Sequence, residues 1–254
     1  MSDDVVTLTD RGGPVIATAI HDGHAVRPAI APLLALDEAT RLREEDPHTG
    51  RLAAVSPTYL VALRSRFEVD LNRPREQAVY RVAADSWGLE VWREACSEDL
   101  VAGSLAVYDT FYGLLERTLR RRDRFVVLDV HSYNHRRQGP TAAPDRDEGS
   151  PEVNIGTGTL DRARWGGLVD RFCRDLAACE VRGHRLDVRE NVRFQGGAMS
   201  AWINRTFPNG CAIALEFKKT FMDEWSGKLD EDHLDQLCSA LAATLPGLRE
   251  CLAA

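Results

Sequence analysis

Three apolar runs in the sequence end in residues that can do chemistry. "GPVIATAI" (13–20) leads into His21, "FVVL" (125–128) into Asp129 and His131, and the run from Gly210 into Glu216. A neutral imidazole ligates divalent metals and titrates near physiological pH, while a carboxylate can ligate or act as a general base. Two histidines and a carboxylate, with a fourth position left for water, are the usual protein part of a hydrolytic zinc centre. A further carboxylate outside that shell can carry a proton from water to a leaving amine. His21, His131 and Glu216 supply this set short of one carboxylate ligand. The acidic stretch "REEDPHTG" (43–50) can provide it through Glu44, Glu45 or Asp46, although the same stretch also reads as a solvated helix end. His24, His48 and His135 lie nearby in sequence as rival ligands or exposed loop residues.

Such side chains meet only if the runs are strands of one sheet whose carboxyl edges face the same way, the place where open α/β sheets bind ligands. The rest of the chain supplies matching helices. Residues 31–46 suit a short amphipathic helix or helix pair, 100–123 a long helix with a basic last turn, and 159–181 and 231–248 further helices. Residues 60–74 carry a strand-like segment ending at Pro74, with Asp70, Asn72 and Arg73 just before the break. Residues 136–158, rich in Gly, Pro and Asp, predict a long loop of the kind that covers a site or moves. Alternation of strand and helix predicts a three-layer α/β/α domain with a mixed, largely parallel central sheet.

Composition sets outer bounds. The 254 residues give one domain, 1–254, with no linker in view, and 44% hydrophobic with 28% charged residues is the balance of a soluble globular chain. A net charge of −7 gives no general attraction to nucleic acid or to an anionic membrane. The acidic start "MSDDVVTLTDRGG" has no secretory pattern and no run approaches a membrane span, so the expected location is the cytoplasm. Six scattered cysteines without a C-x-x-C pair predict free thiols. The sequence leaves the oligomeric state open.

The succession "IHDG" (20–23), "REEDPHTGRL" (43–52), "VDLNRP" (69–74), "VLDVHSY" (127–133), "VNIGTGT" (153–159), "RFQGG" (193–197) and "IALEFKKTFMDE" (213–224) resembles the N-formylglutamate amidohydrolase family, in order and over nearly the whole chain. The resemblance implies a zinc carboxypeptidase-like fold and a Zn2+ held by His21, His131 and a carboxylate, with Asp46 at the matching position and Glu45 second. It implies Glu216 as general base, and Asn72 with Arg73 as the pair that grips a substrate carboxylate. Tyr133, Asn154, Gly196 and Gly197 fall in matching motifs and are expected near the substrate. Arg66 or Arg73 is expected to steady the developing oxyanion, and Asp129 either to hold the strand end or to orient His131. The expected partner is a small N-acyl amino acid such as N-formylglutamate. The alternatives are a metallopeptidase or amidase acting on a peptide or cell-wall fragment, and a non-catalytic carboxylate-binding module. The sequence departs from the family pattern at "GGAMSAWINRTF" (196–207) and at "NRPREQAVYRVAADSWGLEVWRE" (72–94), which inserts Trp87 and Trp92. Side-chain and acyl pockets are the features these departures touch.

Overall fold

The structure, a computed structural model, describes residues 5–253; Met1–Asp4, the beginning of the acidic amino-terminal stretch, and Ala254 lie outside the described residues. In chain order the elements are β1 (Val6–Asp10), β2 (Val15–Ala19), α1 (Glu38–Glu44), α2 (Thr49–Ala53), β3 (Thr58–Ala62), α3 (Glu98–Leu119), β4 (Phe125–Tyr133), β5 (Val153–Gly156), α4 (Arg162–Ala177), β6 (Glu180–Val181), β7 (His184–Arg185), β8 (Val188–Glu190), α5 (Ala198–Thr206), β9 (Gly210–Lys218) and α6 (Glu231–Ala253).

Runs without alternation, such as those of β2, β4 and β9, suit strands buried on both faces, and these three form the middle of the sheet. Seven strands pair in the order β1-β3-β2-β4-β9-β5-β8. β3, β2, β4 and β9 run parallel, as do β5 and β8, whereas β1 on β3 and β5 on β9 are antiparallel. β6 and β7 form a separate two-stranded hairpin.

Helices cover both faces. Leu52 of α2, Phe172 of α4 and Leu241 of α6 pack on Val126, Leu128 and Val130. Phe111 and Leu115 of α3 and Met199 and Ile203 of α5 pack on Phe125, Val127 and Ile16 on the other side. Burying each such side chain contributes about 1.5–3 kcal/mol, so the two cores hold the three layers together. The expected three-layer architecture with a mixed, mostly parallel sheet is the one observed. No helix among the described residues is long and apolar enough to cross a membrane.

Three local expectations need correction. The strand before Pro74 is β3, which stops at Ala62; residues 63–73 are irregular, so Asn72 and Arg73 sit in a turn and not at a strand edge. Asp70 makes that turn, its carboxylate accepting from the Asn72 N–H at 2.9 Å and its carbonyl from the Arg73 N–H at 3.2 Å. The short helix expected in 31–46 is α1, preceded by a 3-10 turn at Ala31–Leu33; Asp37 sets its start by accepting from the Thr40 N–H at 2.7 Å. The 136–158 segment contains a strand, β5, which pairs with both β8 and β9. The helix predicted over 159–181 begins at the Asp161 cap and ends at Ala177.

Candidate functional site

At the carboxyl edge of β2, β4 and β9 the buried face turns from apolar to ionisable. On β4 the residues sharing a face with Phe125 and Val127 are Asp129, His131 and Tyr133. His131 registers opposite Glu216 of β9, which on its other side registers opposite Asn154 of β5. His21 lies two residues beyond β2. Asp46 lies just beyond α1, its N–H donating to the His21 carbonyl at 2.9 Å and its own carbonyl accepting from the Thr49 hydroxyl at 2.6 Å.

These constraints bring His21, Asp46 and His131, all buried, together with one donor atom each within 4.8 Å of the others. Asp46 Oδ2 lies 3.1 Å from His131 Nδ1 and 3.3 Å from His21 Nδ1. The far nitrogens face other carboxylates: His21 Nε2 is 2.7 Å from Asp70 Oδ1, and His131 Nε2 is 3.1 Å from Asp129 Oδ1. Asp129 is in turn held by the hydroxyls of Thr18 at 3.2 Å and Ser200 at 3.0 Å.

The donor set fits a divalent metal. His21 Nδ1 is buried without a hydrogen-bond partner among the described residues, pointing into the space where Asp46 and His131 Nδ1 converge. A histidine whose second nitrogen is fixed by a carboxylate has its tautomer and ring angle set for ligation.

The neighbouring acids divide by direction. Glu45 is fully buried but turned away, with His24 Nδ1 2.5 Å from Oε2 and the Ser65 hydroxyl on Oε1. Glu44 pairs with Arg43 at 3.2 Å and Arg137 at 3.3 Å on the cavity wall. Of the rival histidines, His24 belongs to Glu45, His135 lies 3.2 Å from Glu224, and His48 leads into α2 with a left-handed backbone. None of the three joins the His21–Asp46–His131 group.

Burial opposes the charge on Asp46, but the hydrogen bond from His131 and the proximity of the His21 and His131 rings outweigh it and hold the carboxyl well below its usual range. Glu216 goes the other way. Burial, reinforced by the charges of Asp46 and Asp129 and opposed by His131 and Arg66, pushes its carboxyl up to about 8.

The group opens into a cavity of about 700 Å³ lined, among others, by Arg66, Arg73, Trp87, Tyr133 and Glu216. Asn72, Gly196 and Gly197 complete one wall. Gly196 has a φ of 109°, and a Cβ on Gly197 would come within 2.2 Å of Asn72 Oδ1, so both glycines serve the fit of this wall. Asn72 Oδ1 accepts from the Met199 N–H at 3.2 Å. Arg73 donates to the Asp85 carbonyl at 3.1 Å, and Arg66 to Asp70 at 2.9 Å. The Tyr133 hydroxyl donates to the Pro151 carbonyl. Asn154 does not line the cavity; its amide donates to the Phe194 carbonyl at 2.8 Å and accepts from the Arg193 N–H at 2.8 Å, bracing the loop that carries Gly196.

Two supports escaped the sequence reading. Asp70, notable in the sequence only as a residue before a break, joins His21, Arg66 and the Tyr80 hydroxyl. Lys219 is buried and donates to the carbonyls of Arg43 at 2.7 Å and Glu45 at 2.5 Å, fixing the end of α1 beside Asp46. The only sequence signal for either was its place inside a motif.

Residues 13–222 match the family model for N-formylglutamate amidohydrolase. The chain belongs to the N-formylglutamate amidohydrolase family. Members hydrolyse linear amide C–N bonds, and this chain is an amidohydrolase. A crystal structure of N-formylglutamate amidohydrolase from Ralstonia eutropha JMP134 superimposes with a TM-score of 0.78 at 17% identity, covering 98% of both chains. A gene product of Agrobacterium tumefaciens superimposes at 0.68 and 15% identity over 96% of both. At these identities the likeness establishes a shared fold. Among curated proteins none matches the sequence significantly.

Proposed function

We propose that the protein is a zinc-dependent amidohydrolase that cleaves the N-acyl amide of an amino acid, with N-formylglutamate as the representative substrate. The observation that carries this reading is the convergence of His21, Asp46 and His131 on the lining of one cavity, with Glu216 beside His131 on the neighbouring strand. A divalent cation held by those three residues would supply Lewis acidity toward the amide carbonyl and acidify water. Two histidines and one carboxylate are a ligand set that suits zinc.

The chain's own groups supply the remaining steps. Glu216 takes a proton from the attacking water and returns it to the amide nitrogen as the C–N bond breaks, releasing formate and the free amino acid. Its elevated pKa suits a group that must both accept and give up a proton near neutral pH. Arg73, whose guanidinium is partly exposed on the cavity wall, holds the substrate carboxylate, with Asn72 beside it. Arg66, fixed on Asp70, steadies the carbonyl oxygen as charge develops. Asp70 and Asp129 hold His21 and His131 in position.

A screen of the zinc-loaded protein against N-formyl and N-acetyl amino acids and short acidic peptides tests the reading. Release of formate and glutamate from N-formylglutamate is expected. Turnover confined to peptides would point to a peptidase, and no amine release from any substrate would contradict the proposal.

A further inference from the structure

Trp87 is not accounted for by stability. It is 53% exposed, one of the few large hydrophobic side chains left open among the described residues. Its backbone is left-handed, φ 56° and ψ 27°, a conformation that strains a bulky L-residue and suits glycine; its neighbour Gly88 also has a positive φ, 91°. Strained positions persist where the surroundings enforce them, and they cluster at ligand-binding sites. Trp87 stands on the wall of the catalytic cavity.

Its surroundings are rigid. The Arg66 guanidinium packs over the indole at 4.7 Å from the ring centroid, and Tyr80 meets it edge-on at 6.3 Å. Both neighbours are tied to Asp70, Arg66 at 2.9 Å and Tyr80 through its hydroxyl. The turn ahead of Trp87 is closed by Asp85, whose carboxylate accepts from the N–H groups of Arg81 at 2.7 Å and Val82 at 3.1 Å. The Asp85 carbonyl accepts from Arg73. Trp87 and Arg73 therefore share one platform of Tyr80, Asp70 and the Asp85 turn.

A substrate whose carboxylate is held by Arg73, with its amide at the His21–Asp46–His131 centre, has its side chain as the remaining group on the same carbon, next to this platform. We propose that Trp87 is a specificity wall that packs against that side chain, so that beyond N-formylglutamate the enzyme accepts N-acyl amino acids with apolar or aromatic side chains. The inference rests on the amidohydrolase reading and on Arg73 as anchor. A rigid aromatic wall offers a large contact at small entropic cost.

The test compares catalytic efficiency for N-formylphenylalanine and N-formylglycine in zinc-loaded wild type, Trp87→Gly and Trp87→Phe, with calorimetric binding of free phenylalanine to each. Trp87→Gly, relieved of its left-handed strain, is expected to keep its thermal midpoint. Its efficiency is expected to fall by about tenfold or more for the phenylalanine substrate relative to the glycine one, through KM, and Trp87→Phe to recover most of the loss. Equal losses on both substrates would reduce Trp87 to a prop for Arg66, and no loss would remove it from the site; either overturns the proposal. Absence of turnover on every N-formyl amino acid would instead defeat the amidohydrolase reading. In that event phenylalanine binding decides: weakening in Trp87→Gly upholds the wall, and unchanged binding overturns it.

Discussion

On one face of the sheet β4 sets Val126, Leu128 and Val130, all fully buried, against α2, α4 and α6. On the other face Phe125 and Val127 are succeeded by Asp129 and His131, and apolar packing gives way to the hydroxyls of Thr18 and Ser200 and then to the cavity. The pleat, with its period of two, separates apolar packing from ionisable side chains within nine residues of one strand. β9 repeats the division, with Ile213, Leu215 and Phe217 in the apolar core and Glu216 on the ionisable face beside His131. Substitutions on the two faces should therefore fail in different ways.

The largest effect is expected on the ionisable face. Glu216→Gln should lower turnover by about 10²–10⁴-fold while retaining fold and metal, the usual contribution of a positioned acid–base group. It should also alter the pH dependence of the metal-free protein. The Glu216 carboxyl is raised by burial from 4.5 to about 8, so the unfolded chain ionises first as pH rises. The stability this group contributes is complete below about 4.5 and is lost between there and about 8. The thermal midpoint of Glu216→Gln relative to wild type should climb across that window, and a flat difference would show that Glu216 is not held neutral.

Across the sheet, Leu128→Ala should cost about 2–5 kcal/mol in denaturant unfolding, the range for emptying a packed aliphatic site, while the folded fraction keeps its catalytic efficiency. A loss of efficiency comparable to that of Glu216→Gln would erase the distinction between the faces. The smallest change is expected at the cavity wall. Arg73→Lys keeps the charge but loses the planar fork, and should reduce efficiency on N-formylglutamate by roughly 5- to 150-fold, with little loss on an uncharged formamide. Equal losses on both would assign Arg73 to general support of the site.

The division between faces also explains what the sequence could reveal. The runs of β2, β4 and β9 are continuous and apolar because both faces are covered, and their polar ends mark His21, His131 and Glu216 without further information. β1 and β8 are partly exposed and short, and β5 lies within a stretch rich in turn residues, so their hydrophobic patterns are weak. Glu45 and Asp46 show a different limit. They are adjacent, both buried and both acidic. Which of them faces the histidines depends on how α1 ends, on the Asp46 N–H bond to the His21 carbonyl and on Lys219, a residue 173 positions further along the chain than Asp46. Asn72 and Arg73 were legible as residues of interest, but the turn that presents them is made by the Asp70 side chain, which no periodicity encodes.

Metal content per chain is the most direct measure of the central claim. Protein purified without added zinc, then analysed by mass spectrometry, is expected to carry one equivalent of zinc in the wild type and in Glu216→Gln, and to lose it in His131→Ala. A full equivalent in His131→Ala, with the wild-type fold intact, would contradict the assignment of His21, Asp46 and His131 as the ligands.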